Sequence, residues 1–159
     1  MTDTAAWMDE PQVQEARRIL AEILEASGLG IAAELRGRHG SYLDVELVGP
    51  DAASTFGSSG RVLDSLQYLA NLIIARLVGP DVRVLLDVGG YRARREEVLV
   101  QMARDFASEV KARQEECEVD PPMPPHERRI IHKALQDDPG VRTYSEGEEP
   151  ERRVVIAPR

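Results

Sequence analysis

The sequence predicts a mixed α+β protein in two parts. An α-β-β-α-α-β run comes first, followed by a long helix and a small α/β module. Three observations predict this. Apolar residues recur at helical spacing in segments of ordinary helix length. Short alternating or β-branched runs, bounded by Gly and Pro, lie between them. A proline tract, Asp120-Pro121-Pro122-Met123-Pro124-Pro125, punctuates the chain.

Residues 1–10 read as a frayed, flexible terminus. Pro11 suits a first helical position, Val13, Ala16, Leu20, Ile23 and Leu24 supply the stripe, and Ser27-Gly28 closes the helix. Ile31, Ala33 and Leu35 alternate with Ala32, Glu34 and Arg36 as a half-buried strand. Leu43, Val45 and Leu47 make a second strand, with Gly37-Arg38-His39-Gly40 as the hairpin loop and Gly49-Pro50 as the stop. Asp51 is placed to cap a very short helix over Ala52 to Thr55, which Gly57-Ser58-Ser59-Gly60 interrupts. Val62, Leu63, Leu66, Leu69, Ala70, Ile73, Ile74 and Leu77 form a wide helical stripe that ends at Gly79-Pro80. Val82 to Val88 reads as a covered strand and Gly89-Gly90 as a turn. Tyr91 to Cys117 reads as one long charged helix on Val98, Leu99, Met102, Phe106 and Val110. The proline tract is then a stiff extended connector and the one clear boundary. Beyond it, His126 to Gln136 is a short helix with Ile130, Ile131 and Leu135 inward. Asp137-Asp138-Pro139-Gly140 breaks that helix, and Val141–Tyr144 and Arg153–Ile156 are strands around a polar loop. The organisation expected is a terminus over 1–10, a first domain over 11–90 and a second over 91–159.

Composition narrows the function. The chain has 159 residues, 42% apolar, with two Phe, one Trp and four Tyr, so its core is mostly aliphatic. Its 20 basic and 28 acidic residues give a net charge of −8, which excludes a histone-like polycation. The acidic excess is local. Residues 1–120 hold 13 basic and 21 acidic side chains, whereas residues 121–159 hold seven of each. The stronger anion-binding face is therefore expected in the C-terminal module. Basic charge is almost all arginine, Lys111 and Lys133 being the lysines. The single Cys117 excludes an intrachain disulfide and a multi-cysteine zinc site. No run reaches the length of a membrane-spanning helix, and Met1 to Glu10 has three acidic residues and no basic one, unlike a secretory leader. A soluble, cytoplasmic protein is expected.

Two segments can carry recognition chemistry. Gly57-Ser58-Ser59-Gly60 joins two helices. Glycines at both ends let another backbone approach without a Cβ in the way. The following helix, opened by Arg61, presents free N–H groups to a phosphate. A plain turn would have the same spacing. In the second segment, Glu127-Arg128-Arg129-Ile130-Ile131-His132, the four-residue step puts Arg128 and His132 on one helix face. A guanidinium beside an imidazole suits a phosphate and a base edge, although such pairs also occur on solvated helices. Arg152 and Arg153 alternate across a strand, so one of them shares a face with that helix. Tyr91, Arg92, Arg94 and Arg95 open the long helix, either as a further phosphate contact or paired with Glu96 and Glu97.

An α-β-β-α-α-β order with G-x-x-G at the helix junction is the arrangement of a type II, bacterial-type KH domain. The chain resembles the Jag (SpoIIIJ-associated) family, which joins a KH-like domain to an Arg-x-x-x-His single-stranded nucleic-acid-binding domain. The resemblance rests on Gly57 to Leu69, Asp87 to Arg95, Met123 to His132 and Tyr144 to Ile156, in that order, and covers roughly residues 12–159. Ser58 and Ser59 stand where many relatives carry basic residues, and His126 where the family often has an aromatic one. Many relatives also carry a further N-terminal domain.

The resemblance implies non-catalytic binding of single-stranded RNA, as a post-transcriptional regulator or RNA chaperone, and pairing with a separate small KH-domain protein. The implied contacts are Gly57, Ser58, Ser59, Gly60 and Arg61 in one module and Arg128, Arg129, His132, Arg152 and Arg153 in the other. Single-stranded DNA is the alternative ligand, and a protein-interaction adaptor with a weakened KH site the alternative function. Neither a metal nor a cofactor is expected. His126 and His132 are six apart, poor spacing for one metal ion. Ser58 and Ser59 lack an evident base, Cys117 lies among carboxylates that disfavour a thiolate, and no P-loop lysine is present.

Overall fold

A computed structural model of the chain describes residues 6–57 and 59–159. They form a mixed α and β structure with four helices and two three-stranded sheets. The chain divides between Tyr91 and Arg92 into two compact units.

The first unit contains α1 (Pro11–Ala26), β1 (Ala32–His39), β2 (Tyr42–Val48), a 3-10 turn (Ala52–Thr55), α2 (Arg61–Leu77) and β3 (Arg83–Asp87). The strand order is β1-β2-β3, with β1 antiparallel and β3 parallel to β2. Parallel neighbours need a long crossover, and the 3-10 turn with α2 supplies it. Val13, Ala16, Leu20 and Leu24 of α1 and Leu63, Ala70 and Ile74 of α2 pack on Leu43, Val45, Leu47, Val84 and Leu86. Two amides of α2 close the outer edge of β3. Asn71 donates to the Val84 carbonyl at 2.9 Å and accepts its N–H at 2.7 Å, while Gln67 accepts the Leu86 N–H at 2.9 Å. Those bonds remove backbone groups that would otherwise invite another strand.

The second unit holds α3 from Arg92 onward (the helix spans Tyr91–Arg113), β4 (Cys117–Val119), α4 (Pro125–Leu135), β5 (Val141–Glu146) and β6 (Arg153–Pro158). Its sheet runs β4-β6-β5, antiparallel throughout. Leu99, Ala103, Ala107 and Val110 of α3 and Ile131 and Leu135 of α4 pack with Val119, Val141, Val154 and Ile156. Central strand β6 buries both faces over Val154 to Ala157.

Several expectations need correction. Residues 6–10 are not frayed, since Ala6–Asp9 is a 3-10 turn, Trp7 packs on the first core and Glu10 pairs with Arg38 at 2.7 Å. The hairpin is tighter than a four-residue loop: β1 continues through a bulge near Leu35 and Gly37 to His39, which pairs with Tyr42. Asp51 caps the Gly30 N–H at 2.7 Å and makes no side-chain cap on its own helix. The α2 stripe is wider than the face it buries, leaving Val62, Leu69, Ile73 and Leu77 exposed. The long helix stops at Arg113, where Gln114 takes a φ of 57°, and Cys117 begins strand β4 instead. Within α3, Val98 is exposed while small Ala103 and Ala107 are buried, because alanine lets packed elements approach closely. The proline tract marks no boundary between compact units: Met123 is 2% exposed in the second core and its N–H meets the Arg152 carbonyl.

Candidate nucleic-acid interface

In the first unit, Gly57 and Gly60 both take positive φ, 50° and 69°. Gly60 has a steric reason to be glycine as well as a conformational one. A Cβ there would lie 2.8 Å from Cε1 of Tyr91, whose ring stacks on Phe56 with centroids 4.7 Å apart. The loop is therefore seated on an aromatic pair, with Ser59 half-buried and Arg61 exposed at the start of α2. Ser58 lies outside the described residues.

In the second unit, α4 starts with proline at its first position and presents alternate chemistry on its buried side. Glu127 is 3% exposed and takes a two-pronged ion pair from Arg95 of α3, with Nε at 2.7 Å and Nη2 at 3.0 Å. Arg95 therefore finds a carboxylate across the unit, a partner that the helix-local alternative of Glu96 and Glu97 did not foresee. The bidentate geometry offsets part of the cost of burying the pair.

One residue later, the Arg128 side chain is 8% exposed. Its Nη2 pairs with Glu149 in the loop between β5 and β6. Its Nε and Nη1 are buried without a hydrogen-bond partner among the described residues. Such donors are costly to leave unsatisfied, and the fork they belong to matches two oxygens of a carboxylate or phosphate.

His132 follows one helical turn on, beside Arg128. Its Nδ1 lies 2.7 Å from the Thr143 hydroxyl and its Nε2 2.9 Å from the Ser145 hydroxyl. Thr143 and Ser145 are two apart on β5 and so share a face. Burial, and then the positive charge of Arg128, hold the His132 imidazole below its ordinary pKa. A neutral ring that donates to one hydroxyl and accepts from the other fits this setting. His132 thus ties α4 to β5.

The remaining expected contacts separate. Arg129, His132, Lys133, Gln136 and Thr143 line a surface depression of about 590 Å³. Arg129 and Lys133 are exposed there. Arg152 bonds the carbonyls of Gly147 at 3.0 Å and Ser145 at 3.2 Å, which holds it beside the end of β5 that carries the His132 partner. Arg153 turns away, to Asp120 at 3.2 Å and Glu118 at 3.6 Å. Of the two arginines, Arg152 is the one that bonds the backbone of Ser145, whose hydroxyl meets His132.

Sequence reasoning missed Thr143, Ser145, Lys133, Gln136 and Glu149. The first two were readable as alternate positions on a strand beside a helix; Glu149 carried no sequence signal, because a loop carboxylate finds its partner through tertiary structure alone. Burial, followed by the charge of Glu109, holds the Cys117 thiol above its ordinary range, an unreactive setting. Among the described residues no cluster of three or more His, Cys, Asp or Glu could hold a metal ion, and no helix is long and apolar enough to cross a membrane.

Comparison with known proteins adds two findings. Residues 97–158 match the R-3-H domain family, named for its Arg-x-x-x-His motif. The chain is also similar to curated proteins named RNA-binding protein KhpB. It is 44% identical to that of Clostridium symbiosum over 115 residues, covering 72% of this chain and 51% of the relative. It is 36% identical to that of Lactiplantibacillus plantarum over 149 residues, 92% of this chain and 46% of the relative. The Bacillus subtilis protein is 34% identical over 113 residues, 70% of this chain and 54% of the relative. The chain spans about half the length of the curated relatives it matches. It carries an Arg-x-x-x-His domain and is homologous to the Jag-family proteins named RNA-binding protein KhpB.

Proposed function

We propose that this chain binds single-stranded RNA without catalysing a reaction, acting in the cytoplasm as a post-transcriptional regulator or RNA chaperone. One observation carries the reading: Arg128 is buried with two unpartnered donors, one helical turn from His132, which lines a depression with Arg129 and Lys133. A guanidinium with spare donors, flanked by exposed cations, suits a sugar-phosphate backbone. The name RNA-binding protein carried by the relatives points the same way. Arg128, Arg129 and Arg152 supply charge. His132 positions β5 against α4 and offers its hydroxyl partners to the ligand edge.

The first unit is read as a type II KH-like domain over residues 11–90, with 91–159 as the companion that contains the Arg-x-x-x-His domain. Its order of elements and the positive φ of Gly57 and Gly60 support that. Gly57, Ser58, Ser59, Gly60 and Arg61 would hold a second stretch of backbone, weakly, since Arg61 is the sole cation among them. A second reading is favoured by one feature. Val62, Leu69, Leu72, Ile73 and Leu77 leave an exposed apolar face on α2, which suits a protein partner such as a small KH-domain protein.

The test is fluorescence anisotropy with a labelled single-stranded RNA at several salt concentrations, with matched DNA as competitor. RNA binding with a log–log salt slope of roughly −1.4 to −2.8, for about two to four phosphate contacts, is expected. The slope should flatten in an Arg128→Ala/His132→Ala variant. Equal competition by DNA would reassign the ligand. Absence of binding at low salt would transfer the weight to the adaptor reading.

A further inference from the structure

We propose that Glu149 is a built-in competitor for the nucleic-acid site. Its carboxylate holds the Arg128 guanidinium where a phosphate would sit, so that binding requires the β5–β6 loop to give Arg128 up. This rests on the reading that Arg128 takes a phosphate.

The two partners of this pair are unequal. The Arg128 side chain is 8% exposed and that of Glu149 is 51% exposed. Breaking the pair would leave a nearly dry cation without an anion, which is costly, whereas Glu149 would return to water at little cost. Arg128 is therefore built to exchange one anion for another and not to stand alone. Carboxylate and phosphate present the same acceptor geometry to its fork. The exchange has a favourable direction as well: Glu149 satisfies Nη2 alone, and Nε and Nη1, buried and unpartnered as the loop stands, gain acceptors only from a ligand with more oxygens that enters when the loop moves.

The loop is arranged so that its tip can yield without unpicking the sheet. The β5–β6 ladder ends at Glu146 opposite Arg153. Arg152 bonds the carbonyls of Ser145 and Gly147 at the base of the loop. Beyond that clamp, the Glu151 N–H meets the Glu148 carbonyl at 2.8 Å, so the tip is a self-contained turn. Its residues 147–151 are all exposed. Glu148 and Glu151 flank Glu149 and give the tip a charge that repels a phosphate backbone until the tip moves aside.

The proposal is tested by anisotropy with a labelled single-stranded oligouridine RNA on the full chain. The variants are Glu149→Gln, Glu149→Ala, Glu151→Gln, Arg128→Ala and Arg128→Ala/Glu149→Gln, each checked for folding by circular dichroism. Removing the competitor should tighten binding about tenfold in Glu149→Gln and Glu149→Ala. Glu151→Gln removes the same charge from the same loop and should change affinity by about twofold at most. The gain should vanish when Arg128 is also absent. If the Glu149 variants bind no tighter than Glu151→Gln while Arg128→Ala still weakens binding, the competitor role is overturned and the RNA site stands. If Arg128→Ala binds like the parent chain, alone and with Glu149→Gln, the RNA site itself is misplaced and the competitor role falls with it.

Discussion

The two units solve the same packing problem with different chemistry. Each packs helices with a three-stranded sheet and stitches them in place with polar side chains. In the first unit the stitches are neutral amides, Gln67 and Asn71 on the edge of β3. In the second they are ionisable: Glu127 to Arg95, Arg128 to Glu149, and His132 to Thr143 and Ser145. The buried charged residues among those described, Glu127 and Arg128, both lie in the second unit. Neutral stitches satisfy backbone and stop there. Charged ones cost desolvation, and a guanidinium left with spare donors is poised for an anion. The amide bonds on β3 leave neither Asn71 nor Gln67 reaching for a ligand, whereas the second unit's network is open at Arg128.

The largest break in that contrast should come from Glu127. Glu127→Ala removes the two-pronged ion pair to Arg95 from a buried position and should cost about 3–5 kcal/mol of unfolding free energy, read by urea denaturation followed by circular dichroism. A loss below about 1 kcal/mol would show that the ion pair is not the anchor of α4. Next comes a purely steric counterpart in the first unit. Gly60→Ala places a Cβ against Tyr91 at positive φ and should cost about 1–2 kcal/mol or more. The same substitution at Gly57, where a Cβ would meet nothing within 4 Å, should cost less.

A pH titration sharpens the difference further. His132 has a folded pKa below its ordinary 6.5, through burial and then Arg128. The unfolded chain therefore binds the proton more readily. The stability linked to His132 should be complete above about pH 6.5 and fall as the pH drops toward the folded pKa. A ring-proton NMR titration should show the depressed midpoint, and Arg128→Ala should move it upward. A midpoint at or above 6.5 in the parent chain would contradict the half-buried, neutral assignment. The smallest effect expected is at the first unit's loop. Ser59→Arg should steepen the salt slope of RNA binding by about 0.7, one added phosphate contact on a single strand.

Much of this was legible in advance, for reasons that differ by element. Helix α1 was readable because Pro11 and an apolar stripe agree. The β1–β2 pair was readable from alternation, although the turn was placed too early because Gly37 marks a bulge rather than the bend. Strand β4 was hidden: three residues, Cys117–Val119, following a charged helix carry no periodicity, and only pairing with β6 makes them a strand. The proline tract misled because extended prolines suit a linker, yet Met123 within it is core. At the site, the Arg128–His132 spacing pointed to one helix face. What it left unread was the packing, in which His132 is taken up by Thr143 and Ser145 while Arg129 and Lys133 are exposed. Glu149 was beyond reach, since its contact with Arg128 depends on where a loop returns.

On the proposed reading, RNA sits on the open network of the second unit. The most direct measurement is titration of unlabelled single-stranded RNA into the isotope-labelled chain, followed by amide chemical shifts. The account predicts the largest shifts along α4 and β5, around Arg128, Arg129, His132, Lys133 and Thr143, and in the Glu149 loop, with small shifts at Gly57 to Arg61. Shifts concentrated at Gly57 to Arg61, with α4 and β5 unmoved, would contradict it.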